Sequence, residues 1–271
     1  MDARTYLFVP GNRPERFAKA LASGADAVVL DLEDAVAEDA KAAARDAIAN
    51  WAASAGADER RRIVVRSNDA ASPYFADDLR LLRDAGLASL MLPKAEAAEH
   101  VGAVRAVLPD GGILPLVESA RGIARCEAIA AAPGVVRLVF GTLDFALDLD
   151  LDIDADAEPL AFAAGQLAIA SRAAGLLPPV AGVTPQIDDE ARLLADLAWA
   201  RRRGFGAKLC IHPKQVAPVH AALAPSAQEL EQARRVLAAE AASPGAARLD
   251  GRMVDRPVVL MAQRVLRRAG N

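Results

Sequence analysis

The sequence reads as an α/β protein: a (β/α)₈ barrel over residues 1–224, then a C-terminal helix–hairpin–helix extension over residues 225–271. Three features carry that expectation. Short β-branched or aliphatic runs alternate with longer, alanine-rich amphipathic stretches, the pattern of repeated βα units and hence of a parallel sheet. The alternation occurs eight times, with helices long enough for right-handed crossovers, which favours a closed barrel over an open doubly wound sheet. A length of 271 residues exceeds the usual single domain yet matches one such barrel plus a small appendage.

Strands are expected at Tyr6–Val9, Ala27–Leu32, Ile63–Arg66, Ser89–Leu92, Ile113–Val117, Val135–Phe140, Pro179–Ala181 and Ala207–Ile211. Helices are expected at Pro14–Ser23, Ala37–Ser54, Pro73–Ala85, Ala95–Leu108, Ala120–Ala131, Glu158–Ala174, Asp188–Arg203 and Lys214–Ala222. Polar residues gather where strands end: PGNR (10–13), DLEDA (31–35), RSND (66–69), PK (93–94), ES (118–119), GTLD (141–144), GVTP (182–185) and IHPKQ (211–215). In a barrel these ends share one mouth, where active sites of this architecture are built. Gly, Pro and Asn are ordinary turn residues, so Arg66, Lys94, Glu118, Asp144 and His212 carry the weight. After the eighth unit come a helix from Ala227 to Ala242, a break at Pro244 and Gly245, a hairpin turning at Asp250 and Gly251, and a closing helix with Pro257 in its first turn. Such an appendage serves as a lid or a subunit contact.

Composition excludes several classes. Hydrophobic residues make up 53% of the chain and aromatics 4%, so the core is aliphatic, as suits strands buried on both faces. A formal charge of -4 and no Lys/Arg block argue against nucleic acid as a partner. Cys126 and Cys210 lack metal-type spacing and read as reduced packing residues, and His100, His212 and His220 show no ligand spacing with them, so zinc is disfavoured. No run approaches a membrane span and the N-terminal apolar run is broken by Pro10, which makes the cytosol the expected compartment. No Gly-rich phosphate cradle opens a helix, against nucleotide-driven or hydride-transfer chemistry.

The chemical centre is expected between Gly112 and Asp144. The apolar runs ILPLV and VVRLVF end on or just before Glu118 and Asp144. If both are parallel strands, the carboxylates reach one rim, and two converging oxygen ligands with open positions suit Mg²⁺. The bland alternative is that each acid is only a cap or turn residue. Against it, Ser119 can cap the next helix, which leaves the Glu118 carboxylate for another task, and the Gly141-Thr142 backbone before Asp144 suits a ligand rim. Asp31, Glu33 and Asp34 cannot all point into the mouth; Glu33 is the candidate for orienting Arg66 or a metal-bound water, the others being structural. Arg13 and Lys94 suit a substrate carboxylate or CoA phosphates, or equally a pairing with the DLED acids. His212 is expected as a hydrogen-bonded structural histidine.

These motifs together carry a resemblance. LFVPGNRPERFAKAL (7–21), VVLDLEDAV (28–36), VVRSN (64–68), MLPKAE (91–96), LVESARG (116–122), FGTLDFALDL (140–149), AKLCIHPKQ (207–215) and DGRMVDRPVV (250–259) keep the order of the citrate lyase beta subunit-like family, which includes malyl-CoA and citramalyl-CoA lyases. The resemblance implies a TIM barrel assembled as a trimer in many members, with the tail of one subunit reaching the next mouth. It implies Glu118 and Asp144 as Mg²⁺ ligands, Arg66 as the binder of a substrate carboxylate or carbonyl oxygen, and Asp255 as proton donor or acceptor at the acyl carbon. Two departures stand out: Ser67 sits where an aliphatic residue is expected, and acids recur at 148, 150, 152, 154, 156 and 158. If that stretch is extended, its carboxylates share one side as a solvated lip, a second cation site or a substrate-repelling gate.

The expected activity is therefore that of a carbon–carbon lyase of the oxo-acid type. It would cleave a 2-hydroxy-acid thioester of the malyl-CoA, citramalyl-CoA or citryl kind into a keto acid or aldehyde acid plus acyl-CoA, with Mg²⁺ as Lewis acid. The alternatives are a metal-dependent thioester hydrolase and a citrate lyase beta subunit active only within an acyl-carrier complex.

Overall fold

The computed structural model describes residues 3–243 and 247–270. Eight parallel strands close a barrel in sequence order. They are β1 (Thr5–Pro10), β2 (Ala27–Asp31), β3 (Ile63–Arg66), β4 (Ser89–Leu92), β5 (Gly112–Val117), β6 (Val139–Phe140), β7 (Val180–Ala181) and β8 (Ala207–Cys210). β8 returns to pair with β1, so the barrel has no open edge. Because side chains alternate, one set from each strand fills the barrel and the next set meets the helices. Tyr6, Val29, Val64, Met91, Leu114, Val139, Val180 and Leu209 belong to the interior layer, while Val28, Leu30 and Val65 are buried outside it.

The helices are α1 (Phe17–Leu21), α2 (Lys41–Ser54), α3 (Ala57–Arg61), α4 (Phe75–Ala85), α5 (Ala98–Val107), α6 (Ala120–Ala124), α7 (Cys126–Ala131), α8 (Thr142–Asp148), α9 (Ala161–Ala173), α10 (Glu190–Arg202) and α11 (Val216–Leu223). None is long and apolar enough to cross a membrane, among the described residues. Each expected strand is present, but β6 is short. Arg137, inside the run VVRLVF, is fully buried and donates from Nη1 to the Ala3 carbonyl at 2.6 Å and from Nε to that of Pro178. Val135 keeps only an isolated bridge to Ile113, and the ladder starts at Val139. Two helices were not expected. α3 follows a Gly56/Glu59 capping arrangement, and α8 places Asp144 in its first turn, where a carboxylate complements the helix dipole.

The acidic stretch after α8 is not an extended edge with its carboxylates on one side. Asp148 ends α8 and accepts the Ala120 amide at 2.7 Å; Asp150 is left-handed, with φ of 54°. Asp152 and Asp156 accept amides two residues on, at 3.0 and 2.8 Å, and Glu158 pairs with Arg203 at 2.8 Å. Short acidic side chains bonding their own backbone compete with strand geometry, so the acids diverge. Ser67 is fully buried with its hydroxyl unpartnered, a polar atom where the resemblance leads one to expect an aliphatic side chain. Cys126 and Cys210 are buried free thiols.

The chain divides into two compact units, the first ending at Val219 and the second beginning at His220, whereas the sequence reading drew the boundary at 224/225. The second unit contains α12 (Ala227–Ala242), a hairpin of β9 (Arg248–Leu249) and β10 (Arg252–Met253), and α13 (Arg256–Arg268). Asp250 and Gly251 turn the hairpin with φ of 49° and 77°, as a two-residue loop of this twist requires. Ser226 and Glu229 cap α12 reciprocally. Ala233, Val236, Ala247, Val254 and Ala262 form a core of the unit's own. The break expected at Pro244 and Gly245 lies outside the described residues.

A buried lysine ties the loop after β2. Lys41, at the start of α2, donates to the carbonyls of Leu32, Glu33 and Val36 at 2.8, 3.1 and 3.2 Å and lies over the Tyr74 ring. Lys41→Met leaves these carbonyls without their ammonium donor and is expected to cost about 3 kcal/mol of stability. Urea unfolding checks this; an unchanged midpoint would mean that the carbonyls find other donors.

Candidate active site at the barrel mouth

Strand register brings the first pair together. Asp31 ends β2, Arg66 ends β3, and the two residues are direct partners in the parallel ladder. Their side chains meet as a fork: Nε donates to Oδ1 and Nη2 to Oδ2, both at 2.7 Å. Two parallel charge-assisted bonds fix the guanidinium plane. The same Asp31 oxygens accept the amides of Glu33 at 2.9 Å and Ala35 at 3.1 Å, so one carboxylate shapes its loop and holds its neighbour. Nη1 of Arg66 lies 2.9 Å from Glu33 and 3.3 Å from Asp34, and the group sits 5.0 Å from the centroid of Phe8 on β1. Burial opposes its charge, but Asp31, Glu33 and Asp34 together outweigh that and hold its pKa above the usual arginine value.

Glu118 comes directly after β5 and is buried, at 5% exposure. Oε1 accepts the Lys94 amide at 2.7 Å. Gly141, just past β6, makes room for it. A Cβ there would lie 2.5 Å from the Cβ of Glu118 and closer still to Oε2. Asp144, exposed in the first turn of α8, lines the same cavity as Glu118 and Arg66, a space of about 810 Å³. Burial pushes the Glu118 carboxyl up to about 8; the Lys94 amide and Arg66 oppose this, while Glu33 and Asp144 add to it.

The donor set fits a hard divalent cation. Glu118 and Asp144 both bring carboxylates to the cavity lining, and Mg²⁺ is characteristically held by one or two protein carboxylates with the remaining positions left to water or substrate. Among the described residues no group of three or more His, Cys, Asp or Glu side chains is arranged to enclose a metal, so the two carboxylates would leave most positions on an ion to water or substrate. His212 lines the cavity but its Nδ1 accepts the Lys214 amide at 3.2 Å, the structural role expected of it.

The remaining candidates fall as follows. Glu33 bridges Arg66 and Lys94, with Lys94 Nζ 3.0 Å from Oε1. Arg13 is half-exposed and pairs with Glu15 at 3.1 Å, while Arg16 and Lys19, one turn further on, line the cavity instead. Asp255 caps α13, accepting the Val258 amide at 3.2 Å. The sequence reading passed over Asp31 as structural; only the β2–β3 register reveals its fork to Arg66. It also took IHPKQ and GVTP as rim motifs without seeing that Gln215 joins them, accepting from the Ile211 amide and donating to the Thr184 carbonyl, both at 2.9 Å.

Comparison with known proteins places the chain in a family. The family model described as HpcH/HpaI aldolase/citrate lyase matches residues 4–213, and that of a C-C bond lyase of the TIM-barrel fold matches residues 175–271. A citrate lyase subunit beta-like protein of Mycobacterium tuberculosis is 38% identical, over 98% of this chain and 95% of its own. A (3S)-malyl-CoA thioesterase of Cereibacter sphaeroides is 34% identical, over 98% of this chain and 94% of its own. The crystal structure of protein CitE from Mycobacterium tuberculosis in complex with magnesium, acetoacetate and coenzyme A matches with a TM-score of 0.88 and 37% identity, covering 99% of this chain and 98% of that one.

Two outcomes follow from the environment of Glu118. Gly141→Ala forces its carboxylate aside and is expected to weaken Mg²⁺ binding by about tenfold or more while the barrel stays folded, as titration calorimetry and circular dichroism can establish. The raised pKa also links metal to protons. If Glu118 is a ligand, Mg²⁺ must displace its proton, and affinity is then expected to rise with pH toward about 8 and level off. In the metal-free chain the folded state holds that proton more tightly than an unfolded glutamate of ordinary value 4.5, so this group's contribution to stability falls as pH climbs from there to about 8. Calorimetry in buffers of different ionisation enthalpy reads the released proton. Metal affinity independent of pH would remove Glu118 from the ligand set.

Proposed function

The chain belongs to the HpcH/HpaI aldolase/citrate lyase family and is a lyase, and we propose that it cleaves the C–C bond of a 2-hydroxy-acid thioester of the malyl-CoA, citramalyl-CoA or citryl kind, with Mg²⁺ as cofactor. The observation that carries the reading is the convergence of Glu118, Asp144 and Arg66 on one cavity at the barrel mouth. Glu118 and Asp144 are the residues that hold the ion. Mg²⁺ supplies Lewis acidity, lowering the pKa of the substrate alcohol and polarising the nascent carbonyl. Arg66, fixed by Asp31, offers an N–H to a carboxylate or carbonyl oxygen and stays charged at any working pH. The apolar part of the cavity, with Phe8 and Leu209 in its lining, excludes water from the carbanion side. Asp255 is the proton donor to the acyl carbon, or the acceptor in the condensation direction. The assembly is a homotrimer in which the C-terminal unit of one copy serves the barrel of another.

A second reading rests on the thioesterase-named relatives: the same residues direct water onto the acyl carbon and release free CoA. Incubating the protein with Mg²⁺ and a panel of 3-carboxy-3-hydroxyacyl thioesters, with free thiol and keto acid followed separately, distinguishes the two. Keto acid with intact acyl-CoA is the lyase outcome, and free CoA with hydroxy acid is the hydrolase outcome. Glu118→Ala and Asp144→Ala are each expected to lower metal-dependent turnover by about a thousandfold with the fold intact. Undiminished activity in either would remove that ligand. Asp255→Asn is expected to slow turnover by roughly a hundredfold or more with little change in substrate affinity; lost affinity at unchanged turnover would make it a binding contact only.

A further inference from the structure

We propose that Lys94 is a positioning residue that ties the two halves of the mouth together, its backbone aiming an amide at Glu118 and its ammonium balancing Glu33 so that Arg66 keeps charge to offer an anionic substrate. This deepens the reading above and rests on it. Lys94 follows β4 and Pro93 and is left-handed, with φ of 47°. The other non-glycine residues of positive φ among those described are Asp150 and Asp250, short acids in turns, the kind of side chain that tolerates this region. Lysine has no such excuse. Its conformation is held from both sides: the Lys94 amide donates to Glu118 Oε1 at 2.7 Å, and the next amide, that of Ala95, donates to the Leu116 carbonyl on β5 at 3.1 Å. Strain that persists because surrounding bonds over-determine it is characteristic of functional sites.

The side chain works on the other half. Nζ lies 3.0 Å from one oxygen of Glu33, whose other oxygen lies 2.9 Å from Arg66 Nη1. Three carboxylates, Asp31, Glu33 and Asp34, surround the one guanidinium, and Asp144 adds another to the same mouth, as Glu118 does once it ionises. Lys94 supplies a second cation to that group. Removing it leaves the field more negative, which disfavours an anion at Arg66 and does not disfavour a divalent cation at Glu118. A residue that merely kept the loop folded would move both affinities the same way.

The experiment measures Mg²⁺ alone, and oxalate in the presence of saturating Mg²⁺, by titration calorimetry on the full chain. In Lys94→Ala, oxalate is expected to bind about tenfold more weakly while Mg²⁺ binds equally or more tightly; Lys94→Arg is expected to restore oxalate binding to within about threefold. Lys94→Gly loses the same charge but accepts the left-handed backbone without penalty, so it is expected to melt above Lys94→Ala. Parallel losses of both ligands, unchanged oxalate affinity, or a Gly variant no more stable than the Ala variant would each overturn the proposal. Glu118→Gln and Arg66→Met serve as controls on the underlying reading. If they leave Mg²⁺ and oxalate binding intact, that reading fails with it; if they abolish binding while the Lys94 variants show no opposite shifts, the Lys94 proposal alone fails.

Discussion

A carboxylate taken out of water without a cation of its own is the feature that the rest of the mouth answers. Glu118 sits at 5% exposure with one backbone amide as its hydrogen-bond donor, near other acids, and its pKa is displaced to about 8. Such a group is costly to ionise as it stands, and a divalent ion beside it changes the sign of that cost. Gly141 lets the side chain lie in the wall, the Lys94 amide aims it, and α8 places Asp144 on the same cavity. They come from three successive βα units, Lys94 after β4, Glu118 after β5, and Gly141 with Asp144 after β6, so the site exists only once those units have packed side by side.

The guanidinium half is built on a different principle. Arg66 needs no shift to be charged; it needs to be held still. The Asp31–Arg66 fork arises because β2 and β3 end in register, and the buried Lys41 fixes the loop that carries Glu33 and Asp34 against it. Asp31, Glu33 and Asp34 gather around the one guanidinium, with Lys94 as the second cation of that group. The C-terminal unit has a small core of its own, and Asp255 caps the N-terminus of its last helix, α13.

Much of this was legible in the linear chain, and for identifiable reasons. Periodicity and burial are local properties, so the strands at Tyr6, Ala27, Ile63, Ser89 and Ala207 and the hairpin at Asp250-Gly251 could be read directly, as could the gathering of polar residues at strand ends. β6 was overestimated because the buried Arg137 looks like one polar interruption in an apolar run, and its carbonyl partners, Ala3 and Pro178, are far away in sequence. The extended, one-sided form considered for the acidic stretch after α8 does not arise, because alternate spacing says nothing about Asx turns or about Asp148 reaching the Ala120 amide.

The amino-acid order alone established the eightfold βα alternation and the family resemblance, and it singled out Glu118, Asp144 and Arg66 as candidates, since each is written in contiguous segments of a few residues. What waited for the folded chain was everything that depends on two segments meeting: the Asp31 fork, the role of Gly141 as a gap, the shift at Glu118, and the left-handed turn at Lys94. No local signal marks them, because register, close approach and burial are properties of pairs of segments, and a lysine carries no sequence cue that its backbone will be turned to serve a neighbour one strand further along the chain.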